Sequence, residues 1–200
     1  MAPWGSRTLM LGNNPFAIAA PGGIDGGIVL DIATTKVAWG KLDLAARAGH
    51  KIPSDWATDR DGEPTEDPIE GMRGLLLPLG GHKGYGLSVM VEILCSVLTG
   101  AAFGPHVERG QNLGHLCAAI DVARFGPPEA FQSRLAKMVE ELHASEPSPG
   151  VSRIYVPGEI ELETAARRGR EGIPVTPDLI AELIELGERV REPFLVDRNS

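Results

Sequence analysis

Cysteine is scarce in this 200-residue sequence, with only Cys95 and Cys117. Both lie in apolar runs, which points to buried thiols of a reduced, cytoplasmic protein and excludes a disulfide framework. Aromatics are few, at 5%. No uncharged apolar run reaches the ~18 residues a membrane-spanning helix needs, so no membrane partner is expected. The opening Met1-Ala2-Pro3-Trp4-Gly5-Ser6-Arg7 has no basic stretch leading into an apolar one, and no secretory leader is expected. Basic residues are outnumbered, 19 against 27 acidic, for a net charge of −8. Such a chain repels a phosphate backbone, so nucleic acid is not an expected partner. The five histidines, His50, His82, His106, His115 and His143, show no zinc-ligand spacing with cysteine or carboxylate. No metal is expected.

Glycine is abundant instead. With 25 Gly and 16 Pro, the two types make up about a fifth of the chain, against a usual share of ~12%. They are spread between apolar segments as turns are, which describes a globular domain with many close backbone approaches. Phe16–Ala20 and Gly27–Ala33 are short apolar runs bounded by breakers, and read as core strands. Thr34–Ala48 turns helical, with Gly49 as a C-terminal cap. Residues 50–80 are rich in breakers but keep Trp56, Met72 and Leu75-Leu76-Leu77, which suggests an ordered loop wrapped over a site. Tyr85–Ala102 reads as a buried helix whose only charge is Glu92. Leu116–Val122 and Val151–Gly158 read as further strands. Pro127–Ala144 and Thr176–Arg191 read as amphipathic helices, the latter opened by a Thr cap and a Pro. Composition shifts near residue 125, which suggests a sheet domain over 1–125 and a helical segment over 126–200.

The densest local oddity is Gly80-Gly81-His82-Lys83-Gly84-Tyr85-Gly86, at the start of the buried helix. Glycines let backbone N–H groups approach an anion, the helix N-terminus adds about half a positive charge, and Lys83 adds a full one. That is the chemistry of a phosphate or carboxylate cradle. It has neither Walker spacing nor the Gly-x-Gly-x-x-Gly of a Rossmann fold. A glycine-rich turn with a solvated lysine is the plain alternative. Asp31, at the end of an apolar strand, suits either a cap for the next helix or an acceptor for a ligand hydroxyl. Asn13, in Gly12-Asn13-Asn14-Pro15, sits in a turn before a strand, and serves a turn well without any ligand. No Gly-x-Ser-x-Gly elbow is present.

Taken together, the segments resemble the malate/L-lactate dehydrogenase family, whose cofactor fold is not Rossmann. The resemblance runs through Ala2-Pro3-Trp4-Gly5, Leu11-Gly12-Asn13-Asn14-Pro15 and Leu30-Asp31-Ile32-Ala33-Thr34-Thr35. It continues in Trp39-Gly40-Lys41, Ile52-Pro53-Ser54-Asp55-Trp56-Ala57 and Asp61-Gly62-Glu63-Pro64-Thr65-Glu66-Asp67-Pro68. Leu77-Pro78-Leu79-Gly80-Gly81-His82-Lys83-Gly84-Tyr85-Gly86-Leu87, Leu98-Thr99-Gly100-Ala101, Asn112-Leu113-Gly114-His115 and Val156-Pro157-Gly158-Glu159 complete it. Order and spacing hold over nearly the whole chain. Asn13 departs from the Thr that members commonly carry. Lys41 follows Trp39-Gly40 as in the malate- and lactate-like members, not the relay Asp of the piperideine-carboxylate reductases.

The resemblance implies an α/β fold with a mixed, largely antiparallel sheet, flanking helices and further helices at the C-terminus, 1–125 being the NAD(P)-binding part. It implies an oxidoreductase moving a hydride between NAD or NADP and a 2-hydroxy acid/2-keto acid pair such as malate or lactate. The cofactor is expected on Asp31, Ile32, Ala33, His82, Lys83, Gly158 and Glu159. The substrate is expected near Asn13, Trp39 and Gly40. A cytoplasmic homodimer is expected. The family's proton-donating His and substrate-binding Arg lie in an N-terminal region that this chain does not match, so no catalytic acid or base is expected among its residues. The alternative is a non-catalytic dinucleotide-binding module, derived from the enzyme by loss of that region.

Overall fold

Two apolar runs, separated by a turn that carries four glycines of positive φ, pair as an antiparallel hairpin in the computed structural model. The structure describes residues 1–108, 112–192 and 194. The hairpin joins β1 (Phe16–Ala20) to β2 (Ile28–Ile32), with Phe16 opposite Ile32 and Ala17 opposite Asp31. α1 (Trp39–Arg47) follows and buries Leu42 completely.

The breaker-rich stretch after α1 is ordered. β3 (Ala57–Thr58) pairs antiparallel with β4 (Leu75–Leu76), and α2 (Pro68–Arg73) lies between them. Asp67 caps α2 by accepting from the Ile69 and Glu70 amides, and Pro68 takes the first helical position, where no N–H is needed. Leu42, Ile52 and Ala57 form a small core here, with Val37, Ala45, Trp56, Met72 and Leu76 packed around it. The stretch is thus ordered around an apolar core of its own.

α3 (His82–Glu92) runs into a wider π-helical turn at Ile93–Val97, after which the Thr99 hydroxyl donates to Cys95 O at 2.6 Å. α4 (Pro128–His143) buries Leu135 and Val139. Both lie against Gly23, where an added Cβ would sit 3.2 and 3.0 Å from them. Contacts of this kind keep α4 with the hairpin, and the chain divides after Gly158, into units of Met1–Gly158 and Glu159–Ser200. The second unit holds α5 (Glu159–Glu171) and α6 (Pro177–Val190), the latter capped by Thr176. Among the described residues no helix is long and apolar enough to cross a membrane.

The architecture is a mix of helices and small antiparallel sheets. Three local expectations are corrected. Residues 116–122 and 151–158 form no ladder, because no strand among the described residues pairs with them. The helix expected from Thr34 starts at Trp39, because Thr34 is bonded to Asn13 and Thr35 bridges to Pro78. Cys117 is exposed and Cys95 half-buried, so neither is a core thiol, although both are unpaired.

Candidate functional site

Thr34 is the buried hub to which the sequence-singled segments attach. It has no solvent exposure. Its backbone N–H and its hydroxyl both donate to Asn13 O at 2.9 Å, and its carbonyl accepts from the Leu79 amide at 2.9 Å. The turn carrying Asn13, the strand end carrying Asp31 to Ala33, and the loop entering α3 are thereby joined through one residue. An isolated bridge between Thr35 and Pro78, and a 2.7 Å bond from Lys36 N to Leu77 O, extend the seam.

Gly84 explains why α3 can begin here. It is buried, and an added Cβ would meet Leu79 O, sit 2.7 Å from Leu79 N and lie 2.8 Å from Thr34 O. Only glycine lets the first turn of α3 rest on the Thr34–Leu79 pair. Gly81, at φ 66° and ψ −129°, takes the N-cap position and offers no side chain to the first amides. His82 and Lys83 stand exposed on that uncapped turn. Among the described residues Lys83 has no ion-pair partner. Trp4 packs its ring edge against His82, centroids 6.0 Å apart, and borders Gly81.

Asp31 is exposed on β2 and caps nothing. α1 starts eight positions later, after Ala38, which makes no side-chain cap bond. Gly158 approaches the same strand from the other side. At φ 97° an added Cβ would sit 3.2 Å from both Val29 N and Val29 O, while the preceding Pro157 O accepts from Val29 N at 3.1 Å. Val29 and Asp31 share a strand face by alternation. Asp31 and Ile32 lie on β2, Ala33 follows it, Gly158 meets it at Val29 and Asn13 meets its extension at Thr34, while His82 and Lys83 sit on the first turn of α3, whose Gly84 rests on Thr34. Trp39 and Gly40 are exposed at the start of α1, with no hydrogen bond to Asn13. Glu159 opens α5 in the second unit.

A second layer of this site is long-range. Asn14, at φ 33°, donates from Nδ2 to Ser88 O at 3.0 Å and to Glu92 Oε2 at 2.6 Å. Glu92 Oε1 accepts from Gly104 N at 2.7 Å. Glu92, the lone charge of the apolar run 85–102, is therefore a clamp for the Asn13-Asn14 turn. Its isolation among apolar residues is the signal that singles it out. A cleft of about 650 Å³ between Phe125 and α4 contains none of these residues. It is an apolar surface fold, whereas the glycine-rich junction supplies the polar chemistry.

An uncapped helix start bearing Lys83, the exposed carboxylate of Asp31 and close glycine approaches occur in an acidic chain, and the sequence profile of malate/L-lactate dehydrogenase matches residues 1–184. The chain belongs to the malate/L-lactate dehydrogenase family. It is 40% identical to a malate dehydrogenase of Pyrococcus horikoshii over 204 residues, 95% of this chain and 56% of that protein. It is 38% identical to the NAD(+)-dependent ureidoglycolate dehydrogenase of Escherichia coli over 191 residues, 92% and 54% of the two. Its fold matches the crystal structure of malate dehydrogenase from Entamoeba histolytica with a TM-score of 0.88 and 32% identity, covering 98% of this chain and 59% of that one. The chain spans about half the length of the relatives it matches, and the relatives' N-terminal part lies outside the match.

Proposed function

We propose that this chain provides the dinucleotide side of an oxidoreductase that exchanges a hydride between NAD or NADP and a 2-hydroxy acid/2-keto acid pair of the malate or lactate kind. The observation that carries the reading is the convergence on Thr34 of an uncapped helix start bearing Lys83 with a strand end bearing Asp31. The donor set fits a dinucleotide. The first amides of α3 and the Lys83 ammonium suit the pyrophosphate, and the Asp31 carboxylate accepts from ribose hydroxyls. Ile32, Ala33, His82, Gly158 and Glu159 complete the cofactor contacts in this reading. Asn13, Trp39 and Gly40 lie on the substrate side.

When bound, the nicotinamide supplies the two-electron acceptor or donor. This chain's residues hold it and orient it. The side carrying Asn13, Trp39 and Gly40 would hold the 2-hydroxy acid, and the proton of its hydroxyl would need a base to accept it. That base is assigned to the family's N-terminal part, and the completed enzyme is read as a cytoplasmic homodimer. Calorimetric titration of the chain with NADH, NADPH and their oxidised forms tests the reading. Saturable binding of at least one pair is expected. No heat with any of the four would overturn it.

A further inference from the structure

We infer that a small pocket between the turn at residues 3–7 and the β3–β4 pair binds an aryl carboxylate that carries a second polar group at its far end. The inference does not rest on the cofactor reading. The pocket lies within the Met1–Gly158 unit, and none of its lining residues is assigned above to the dinucleotide or the substrate.

The turn presents Arg7. Ser6 N donates to Pro3 O at 2.9 Å, Gly5 takes φ 82°, and Ser6 Oγ accepts from Thr8 N at 3.1 Å, so the backbone on either side of Arg7 is fixed. The arginine stem then lies along Gly62. An added Cβ there would sit 3.2 Å from Arg7 Cβ and 3.9 Å from its Cδ, so a side chain at 62 would crowd the stem. Among the described residues Arg7 has no ion-pair partner, and it is the one charged residue that lines the pocket. The other lining residues are mostly apolar. In a chain of net charge −8, a lone guanidinium over apolar walls selects an anion. Its planar fork fits a carboxylate, with two parallel bonds.

The walls choose the body of the ligand. Trp4, Leu75 and Pro78 help to enclose about 330 Å³. A cavity of ~150 Å³ takes a benzene ring, so this one has room for a ring with a group at each end. A flat aromatic body also pairs well with the exposed Trp4 indole. Thr58 calls for the second polar group. Ala57 belongs to the core around Leu42, and strand alternation turns Thr58 to the opposite side, with its register partner Leu75, where both line the pocket. Thr58 is only 8% exposed, and its Oγ1 is buried without a hydrogen-bond partner. Buried hydroxyls are nearly always bonded, and a ligand hydroxyl or oxo group pressed against this wall supplies the missing bond. Trp4 also meets His82 and borders Gly81, so an occupant lies one ring away from the first turn of α3.

The experiment titrates the full chain with 4-hydroxybenzoate and follows the backbone amides by NMR. Saturable 1:1 binding is expected, with a Kd of about a millimolar, as suits a ligand of about ten heavy atoms. The shifts should centre on residues 4–7, 58, 62 and 75–77. Arg7→Gln, at an exposed position, should leave the melting temperature where it is and weaken binding about tenfold. The unsubstituted chain should prefer 4-hydroxybenzoate to benzoate by about threefold to tenfold. Thr58→Val should abolish that preference without lowering the melting temperature, because it removes a hydroxyl that has no partner. No saturable binding up to about 50 mM would overturn the inference. So would shifts centred on other segments, an affinity that Arg7→Gln leaves unchanged, equal affinity for the two acids, or a preference that survives Thr58→Val.

Discussion

The Asn14 side-chain amide donates to Glu92 Oε2 at 2.6 Å across 78 positions of sequence. This bond and the one from Gly104 N to Glu92 Oε1 make a single half-buried carboxylate the tie between the Asn13-Asn14 turn, α3 and the loop after it. Both partners donate, so the clamp needs an acceptor on each oxygen. Glu92→Gln brings an NH₂ group against one of two donors and should cost about 1–3 kcal/mol, the range for an unsatisfied polar group. Chemical denaturation reads this directly. An unchanged midpoint would mean that the clamp bears no weight.

Gly84 and Gly86, two positions apart on the same helix, should respond oppositely to alanine. Gly84→Ala drives a methyl group into Leu79 O and Thr34 O, both backbone atoms, and should destabilise the fold by ~3 kcal/mol or more. Gly86 has open space where the methyl would go. Gly86→Ala should stabilise by about 0.5–1 kcal/mol, through helix propensity. Thermal melts of the two variants give the comparison.

Asp67 holds the N-terminus of α2 by accepting from Ile69 N at 2.8 Å and from Glu70 N at 3.4 Å. Asp67→Ala should cost about 1 kcal/mol, the usual value for a lost cap. Leu42→Ala, in the small core beneath it, should cost more, about 2–5 kcal/mol, because the side chain is fully buried. If the two losses are equal, the core around Leu42 is not tightly packed.

Local pattern made the hairpin legible. The runs at 16–20 and 27–33 are bounded by glycine and proline, and the strands lie at Phe16–Ala20 and Ile28–Ile32. The Thr176 cap and the two long amphipathic helices were legible for the same reason. Thr34 was not. Locally it reads as the first residue of a helical stretch, and its role as hub depends on Asn13 and Leu79, 21 and 45 positions away. Residues 116–122 have a strand's pattern, but a strand exists only with a partner, and none of the described residues supplies one. The glycine cluster at 80–86 stands where α3 begins on the Thr34–Leu79 pair. That Gly84 serves helix packing while Gly80 stays open is visible only in three dimensions.

Lys83 tests the central claim most directly. It is exposed, lacks an ion-pair partner among the described residues, and stands on the uncapped first turn of α3. In the cradle reading its charge acts on a ligand phosphate and on nothing else. Lys83→Ala should therefore weaken dinucleotide binding by roughly 1.5–3 kcal/mol, the range for a hydrogen bond to a charged group. The melting temperature of the free chain should stay where it is. A calorimetric titration of the variant beside the unsubstituted chain, with melts of both, reads the two quantities together. Undiminished dinucleotide affinity with a sharply lowered melting temperature would contradict the account, and would make Lys83 a structural residue.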